Sequence, residues 1–199
     1  MRAQGERDRA PLRILFVCFG NICRSPMAEG LARDLATRRH PDDASLLRFS
    51  SAGVGAQNGN PPTEEAVLAM AERGIDIASH RARRATPDVV GACDLVLTME
   101  ERQRLWLLES GAETPAFVLL KLSEAAADGL KEGTAPGTVR ERVGRLGLLT
   151  TEIDHEGLWT MPDHEYEVPD PIGLSVDGYL TVAARLEASL TDLLRALLP

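Results

Sequence analysis

The sequence predicts an α/β fold in which a parallel β-sheet carries helices on both of its faces. Residues 12–17 form a short apolar run of the kind found in buried strands. A helical pattern of apolar residues begins directly after the next loop, and further strand-like and helical segments alternate along the chain. Such alternation is typical of a parallel sheet, because parallel strands need crossover connections.

Four segments are expected to form the strands of this sheet: residues 12–17, 49–53, 94–98 and 116–120. Ser25 is expected to cap the first helix, with Pro26 in its first turn and an end near residues 38–40. Pro61 opens a second expected helix, which Gly74 stops. Four more helical segments are expected, at residues 100–109, 125–130, 138–149 and 176–198.

The length of 199 residues fits a single domain, which we place at residues 12–199 after a flexible tail at 1–11. Residues 122–168 have the weakest pattern, and we expect an insertion there. Two interpretations stay open for it: a surface element folded on the domain, or a partly disordered segment.

Composition and charge exclude several classes of protein. The net charge is −8 and no long basic run occurs, so nucleic-acid binding is not expected. No apolar run approaches the ~20 residues of a membrane span, and the polar start predicts a cytoplasmic protein without a secretory signal. The chain has three cysteines, with no second closely spaced pair and no histidine cluster. A disulfide scaffold and a zinc site are therefore not expected. No cofactor and no metal are expected.

The loop between the first strand and the first helix is the candidate site. Backbone N–H groups and a helix N-terminus converge in such a loop and favour an anion. Asn21 tolerates a left-handed backbone, and the planar fork of Arg24 matches two phosphate oxygens. The expected phosphate-binding residues are Phe19, Gly20, Asn21, Ile22, Cys23, Arg24 and Ser25.

Cys18 lies directly beneath this expected anion site. The field that attracts phosphate also favours the thiolate, so Cys18 is the candidate nucleophile. The hydroxyl of Ser25 is placed to stabilise that sulfur. The implied chemistry is phosphoryl transfer from a monoester to sulfur, and the alternative is an inert core cysteine.

The ten residues from Val17 to Pro26 resemble the signature of the low-molecular-weight protein tyrosine phosphatases. Further segments resemble that family in the same order, over roughly residues 12–120 and 168–197. They are Ser51-Ala52-Gly53, Gly74-Ile75-Asp76, Ser79 to Arg83, Asp94 to Met99 and Pro169-Asp170-Pro171.

The resemblance implies a doubly wound, four-stranded parallel sheet with the catalytic loop after the first strand. It also implies hydrolysis of phosphotyrosine in proteins through a phosphocysteine intermediate, with Cys18, Arg24 and Asp170 as catalytic residues. Asp170 would be the general acid. The partner would be a phosphotyrosine protein, with a bacterial tyrosine kinase as one candidate.

Three other functions stay open on the same residues. A protein arginine phosphatase resembles this family but carries threonine where Ile22 stands. Thiol-coupled arsenate reductases use further cysteines after the third strand, where this chain has none. A phosphate-binding module without turnover is the third.

The chain departs from the family at the walls of the substrate slot. Ile172 stands where an aromatic residue is usual, and the loop after Gly53 lacks the usual tryptophan. Phe19, Trp159 or Tyr166 could supply a wall instead, and ordinary packing of these side chains stays open as the alternative. We interpret His80 as a structural histidine.

Overall fold

The structure is a computed structural model of the chain and describes residues 10–131, 136–156 and 163–198. Four strands form one sheet: β1 (Leu12–Cys18), β2 (Leu47–Gly53), β3 (Leu95–Thr98) and β4 (Ala116–Val118). Their order is β2-β1-β3-β4, and every neighbouring pair is parallel. The predicted parallel α/β sheet is confirmed, with β1 in its interior.

Seven α-helices connect and cover the strands in the described residues. They are α1 (Arg24–Arg39), α2 (Glu64–Ala71), α3 (Pro87–Gly91), α4 (Glu101–Glu109), α5 (Leu119–Lys131), α6 (Val139–Glu156) and α7 (Val176–Leu197). Two short 3₁₀ turns lie at Ala44–Leu46 and Asp163–Tyr166. The helix at Pro87–Gly91 was not expected from the sequence; Thr86 caps it by accepting a hydrogen bond from the Val89 N–H.

Several element boundaries differ from the expectation: β2 begins earlier, at Leu47, the helix expected at 125–130 spans Leu119–Lys131, and the helix expected at 138–149 extends to Glu156. Helix α1 begins at Arg24 with Cys23 as its N-cap residue, so Ser25 lies inside the first turn rather than at the cap. Helix α2 begins at Glu64, because the Thr63 side chain, not Pro61, caps it. Strand β4 ends at Val118, since the apolar residues after it belong to α5.

Both faces of the sheet are covered. Successive side chains of β1 point to opposite faces: Ile14 and Phe16 join the larger apolar core, and Leu15 and Val17 join the smaller one. Helices α1 and α7 contribute to the larger core, whereas α3 and α4 contribute to the smaller one. This two-sided burial explains why β1 is an almost continuous apolar run.

The described part of the segment 122–168 packs on the domain. Leu122 and Ala126 of α5 are buried in the larger core. Helix α6 approaches β4 so closely that a Cβ atom on Gly147 would lie 2.8 Å from Phe117 Cζ. Arg142 Nη1 donates a 3.0 Å hydrogen bond to the Leu197 carbonyl near the end of α7. The limits of the insertion, 122 and 168, remain a prediction. Residues 1–9 of the expected tail lie outside the described residues.

Across these three described ranges, no helix combines the length and the apolar character that crossing a membrane would require.

Candidate active site

A pocket of about 260 Å³ opens at the carboxyl end of β1, the predicted place for the site. Six residues of the predicted loop line it: Cys18, Phe19, Gly20, Ile22, Cys23 and Arg24. Asp170, from the distant loop before α7, lines the same pocket. Asn21 and Ser25 are fully buried, and each contacts the sulfur of Cys18, which lines the pocket.

Asn21 fixes the shape of the loop. Its φ of 55° is in the left-handed region, as the sequence predicts for this position. Its Nδ2 donates to Ser25 Oγ at 2.9 Å and to Ser51 Oγ at 3.0 Å, and its Oδ1 accepts from the Arg83 backbone N–H at 2.9 Å. His80 Nε2 lies 2.9 Å from the Asn21 carbonyl oxygen, a structural contact that agrees with our interpretation of His80.

The sulfur of Cys18 lies within reach of two donors. The Asn21 backbone N–H donates to Sγ at 3.2 Å, and Ser25 Oγ lies 3.0 Å from Sγ. The sulfur therefore has two hydrogen-bonding neighbours at the base of the pocket.

Arg24 is buried and held by three oxygen-bearing groups. Its Nη1 donates to Glu100 Oε1 and, at 3.0 Å, to the Val168 carbonyl. Its Nη2 donates to Asp170 Oδ2 at 2.8 Å. The guanidinium plane is thereby fixed beside the pocket, and the Asp170 carboxyl group lies at the pocket mouth with its side chain 43% exposed.

Glu100 is the main site residue that sequence reasoning missed. It is buried at the N-cap of α4, where it contacts both Arg24 and Arg102. Burial opposes ionisation of Glu100, but hydrogen bonds from Arg102 and Arg24 outweigh it and hold the pKa of this carboxyl below its usual value. The sequence offered one indication that Glu100 belongs to the site, namely its position. It follows soon after β3, at the edge of the sheet where β1 also ends.

Gly53 allows β2 to end directly against the loop. A Cβ atom there would lie 2.4 Å from the Phe19 carbonyl oxygen and 2.9 Å from the Asn21 nitrogen. The next two residues continue the pairing, since the Val54 N–H donates to the Cys18 carbonyl at 3.0 Å and the Gly55 N–H donates to the Phe19 carbonyl at 2.9 Å. Any larger side chain at position 53 would displace the loop backbone.

Cys23 connects the loop to α7. Its Sγ lies 3.6 Å from the hydroxyl oxygen of Tyr179 and 3.7 Å from Thr63 Oγ1. Burial raises the pKa of the Cys23 thiol, and burial also raises the pKa of Tyr179 to about 12. Both groups are therefore neutral at physiological pH. Tyr179 was not anticipated as a neighbour of the loop.

The three candidate wall residues have different outcomes. Tyr166 is buried and its hydroxyl donates to Glu124 at 3.0 Å, so the expectation that it could form a wall of this pocket is wrong. Trp159 lies outside the described residues. Phe19 and Ile172 both line the pocket with their side chains about half exposed.

Cys93 lies just before β3, at the opposite edge of the sheet from Cys18. In the part of the chain that the structure describes, no group of three His, Cys, Asp or Glu side chains is placed to hold a metal ion.

Comparison with known proteins identifies the family. A family model described as "Low molecular weight phosphotyrosine protein phosphatase" matches residues 13–124. The probable low molecular weight protein-tyrosine-phosphatase EpsP of Ralstonia nicotianae is 46% identical over 93 residues, which cover 46% of this chain and 57% of that protein. The protein-tyrosine-phosphatase Wzb of Escherichia coli K12 is 31% identical over 184 residues, which cover 92% of this chain and 94% of Wzb.

A solved structure of the YwlE arginine phosphatase, in a cysteine-to-serine mutant with a phosphorylated active-site serine, has a similar fold. The two chains are 26% identical with a TM-score of 0.63, and the match covers 92% of this chain and 94% of that one. Because the family model covers more than half of this sequence and the match to Wzb extends over nearly all of it, the chain belongs to the low molecular weight protein-tyrosine-phosphatase family.

Proposed function

We propose that this protein is a cysteine-dependent phosphatase that hydrolyses phosphotyrosine in proteins through a phosphocysteine intermediate. The observation that carries the proposal is the convergence of Cys18, Arg24 and Asp170 on one pocket. Cys18 provides the nucleophile, Arg24 provides the bidentate anion contact, and Asp170 provides an acid at the mouth.

The first step transfers the phosphoryl group to sulfur. Arg24 and the loop N–H groups bind the phosphate oxygens, and the Cys18 thiolate attacks phosphorus. The S–P bond forms as the bond from phosphorus to the phenolic oxygen breaks. Asp170 gives its proton to the departing phenolate, which leaves as a neutral phenol.

The second step releases phosphate. The Asp170 carboxylate accepts a proton from a water molecule as that water attacks phosphorus, and the S–P bond breaks. The electron pair returns to Cys18 as a thiolate, which hydrogen bonds from Asn21 and Ser25 stabilise.

Two comparisons support this assignment. EpsP and Wzb are both named protein-tyrosine-phosphatases, and a phosphorylated active-site serine in the YwlE mutant supports a covalent phosphoryl-enzyme in this fold. By the same likeness we propose a phosphotyrosine protein as substrate, with a bacterial tyrosine kinase as a candidate.

A protein arginine phosphatase is the second candidate, since YwlE is one. Ile22 lines the pocket with an apolar side chain that offers no hydroxyl group, which favours an aryl phosphate over a phosphoguanidinium. Arsenate reduction has less support, because Cys93 lies at the far edge of the sheet and residues 98–102 contain no cysteine.

The test compares two peptides of identical sequence that carry phosphotyrosine or phosphoarginine. We expect wild type to hydrolyse the phosphotyrosine peptide with the higher kcat/KM. Cys18→Ser should lower kcat by about three orders of magnitude or more, because a serine hydroxyl is not ionised there. It should still bind inorganic phosphate.

Cys93→Ser is the matched control and should leave turnover of the phosphotyrosine peptide unchanged. A higher kcat/KM for the phosphoarginine peptide would make the second candidate the function. Near-normal turnover by Cys18→Ser would overturn the mechanism.

A further inference from the structure

One side of the pocket carries a basic segment that the catalytic steps do not use. Residues 78–86 lie between α2 and α3 and contain three arginines and no acidic residue, in a chain whose net charge is −8. The three are Arg81, Arg83 and Arg84, and all of them are exposed. In the ranges that the structure describes, none of them forms a salt bridge with a carboxylate. Their charge is therefore available to a ligand.

Backbone hydrogen bonds attach this segment to the loop that lines the pocket. The Ala82 N–H donates to the Asn60 carbonyl at 2.8 Å, and the Gly59 N–H donates to the Ala82 carbonyl at 2.8 Å. The Arg84 N–H donates to Asn58 Oδ1 at 2.8 Å. Asn60 itself lines the pocket. The basic segment is therefore the next stretch of chain beyond the pocket rim, with the two backbones about 5 Å apart.

The three arginines differ in what holds their side chains. Arg83 Nε donates to the Ser51 carbonyl at 2.8 Å, on the open edge of β2. Arg81 Nη1 donates to the Ala78 carbonyl at 3.0 Å. Among the described residues, no hydrogen bond fixes the side chain of Arg84. Arg84 can therefore turn toward a ligand, and its guanidinium can be removed without loss of a contact within the fold.

The other side of the pocket carries the opposite charge. Residues 163–177, which include the loop before α7, contain five acidic residues and neither lysine nor arginine. This loop is attached to β3, because the Val168 N–H donates to the Met99 carbonyl at 2.9 Å. The basic segment is attached to β2, where the Gly53 N–H donates to the Arg83 carbonyl at 2.9 Å. Since β2 and β3 flank β1, the end of β1 lies between a basic and an acidic surface.

We propose that the segment Arg81–Arg84 is a docking surface for acidic residues on one side of the phosphorylated residue of a protein substrate. The inference rests on the proposed function, because it takes the phosphate of that residue to lie in the loop above Cys18. A peptide that crosses the mouth of the pocket then has one flank beside the arginines and the other beside the acidic loop. The pocket thereby selects an acidic flank and also one direction of the peptide.

The partner class follows from the charges. A guanidinium group binds a carboxylate through two parallel hydrogen bonds, which favours glutamate and aspartate side chains. A single exposed ion pair contributes little, but neighbouring arginines can act together on a run of acidic residues. The net negative charge of the chain would otherwise repel an acidic peptide. The basic segment is thus the surface that can accept one.

The test measures binding and not turnover, with peptides that carry phosphonomethyl-phenylalanine, a group that keeps the charge of phosphotyrosine but is not hydrolysed. Three peptides differ only in their flanks: glutamates before this residue, glutamates after it, or glutamines on both sides. Titration calorimetry on wild type should show that only one of the two glutamate peptides binds more tightly than the glutamine peptide. Raising the salt concentration from about 0.05 M to about 0.5 M should largely remove this preference.

Arg84→Gln should reduce the preference, measured as the ratio of dissociation constants, about 1.5- to fivefold. Arg84→Glu should reduce it further and should favour a peptide with lysines in the same flank. Arg39→Gln is the matched control, because it removes the same charge from an exposed arginine at the far end of α1. That end lies roughly 22 Å along the helix from the loop, and the ratio should not change. Circular dichroism establishes that each variant is folded.

Three outcomes would overturn the inference. One is the absence of any preference among the three peptides in wild type. Another is an equal gain for both glutamate peptides, which would mean that the phosphate loop attracts acidic groups from either direction. The third is an unchanged ratio in both Arg84 variants. Absent turnover of phosphotyrosine, with the ratios changing as expected, would instead overturn only the proposed function.

Discussion

The Oγ atom of Ser25 lies 3.0 Å from the Sγ atom of Cys18, in the first turn of α1. Because Asn21 Nδ2 already donates to that oxygen, the Ser25 proton is free to point toward the sulfur or toward the Ala52 carbonyl, 3.3 Å away. The contact matters most when negative charge returns to sulfur, which happens as phosphate is released.

Ser25→Ala should therefore slow breakdown of the phosphocysteine more than its formation. Loss of a hydrogen bond to a charged group is worth about 1.5–3 kcal/mol, or roughly a 10- to 100-fold lower kcat. Stopped-flow measurements with p-nitrophenyl phosphate should show a burst of nitrophenol. The buried Ser123→Ala is the control, and a normal kcat in Ser25→Ala would contradict the assigned role.

Arg24→Lys should lose both phosphate affinity and rate. An ammonium group cannot copy the planar fork that donates to several oxygens at once. We expect kcat/KM for p-nitrophenyl phosphate to fall about 10²- to 10³-fold. Arg33→Lys, on the exposed face of the same helix, should have no effect. Retention of most activity by Arg24→Lys would mean that Arg24 serves only the fold.

Asp170→Asn should make the rate depend more strongly on the acidity of the leaving group. Poor leaving groups need a proton from Asp170, whereas activated aryl phosphates do not. A series of substituted phenyl phosphates should therefore give a steeper dependence of kcat/KM on leaving-group acidity in the variant. Equal losses across the series would remove Asp170 from the acid role. Asp177→Asn, in the first turn of α7, is the control.

Glu100→Gln should weaken the fold in a pH-dependent way. The pKa of Glu100 is held below its usual value, so its ionised form stabilises the folded state above about pH 4.5. That contribution is lost as the pH falls through the lowered pKa. Urea unfolding should show a loss of about 1–3 kcal/mol at pH 7 that narrows in acid. If the loss in the free energy of unfolding did not change with pH, the shape of the Glu100 side chain and not its charge would be responsible.

Peroxide should inactivate the protein reversibly through the two loop cysteines. Peroxide oxidises the Cys18 thiolate to a sulfenic acid and is itself reduced to water. The sulfur of the Cys23 thiol then attacks the Cys18 sulfur, the hydroxyl group leaves with the Cys23 proton as a second water, and a disulfide forms. Cys23 must first leave its contacts with Tyr179 and Thr63.

Wild type should then regain activity on addition of a dithiol, whereas Cys23→Ser should recover poorly. Cys93→Ser should behave like wild type, because Cys93 lies at the other edge of the sheet. Mass spectrometry that found Cys18 linked mainly to Cys93 would contradict this scheme.

The loop itself could be predicted because its signals are local. An apolar strand, an asparagine suited to a left-handed backbone and a following helical pattern lie within a few residues of each other. The end of β4 could not be predicted in the same way. Residues 116–120 are uniformly apolar, and such a short run does not distinguish a buried strand from the start of a buried helix.

The partners of Arg24 were beyond local reasoning. Glu100 lies 76 residues away and Asp170 lies 146 residues away along the chain. The family resemblance assigned Asp170 a role as acid but not its contact with Arg24, and Glu100 carried no motif of its own. Which residues surround a buried guanidinium depends on how the strands are ordered in space, which periodicity in the sequence does not determine.

The distance along the chain between Arg24 and its partners has a consequence for synthesis on the ribosome. Strand β1 and the cysteine loop are synthesised well before Val168 and Asp170, which hold Arg24 and lie 144 and 146 residues further along the chain. Tyr179, which contacts Cys23, follows later still. A nascent chain therefore carries Cys18 long before it carries the groups that hold Arg24, and the site is completed only after Asp170, 146 residues beyond Arg24, has been made.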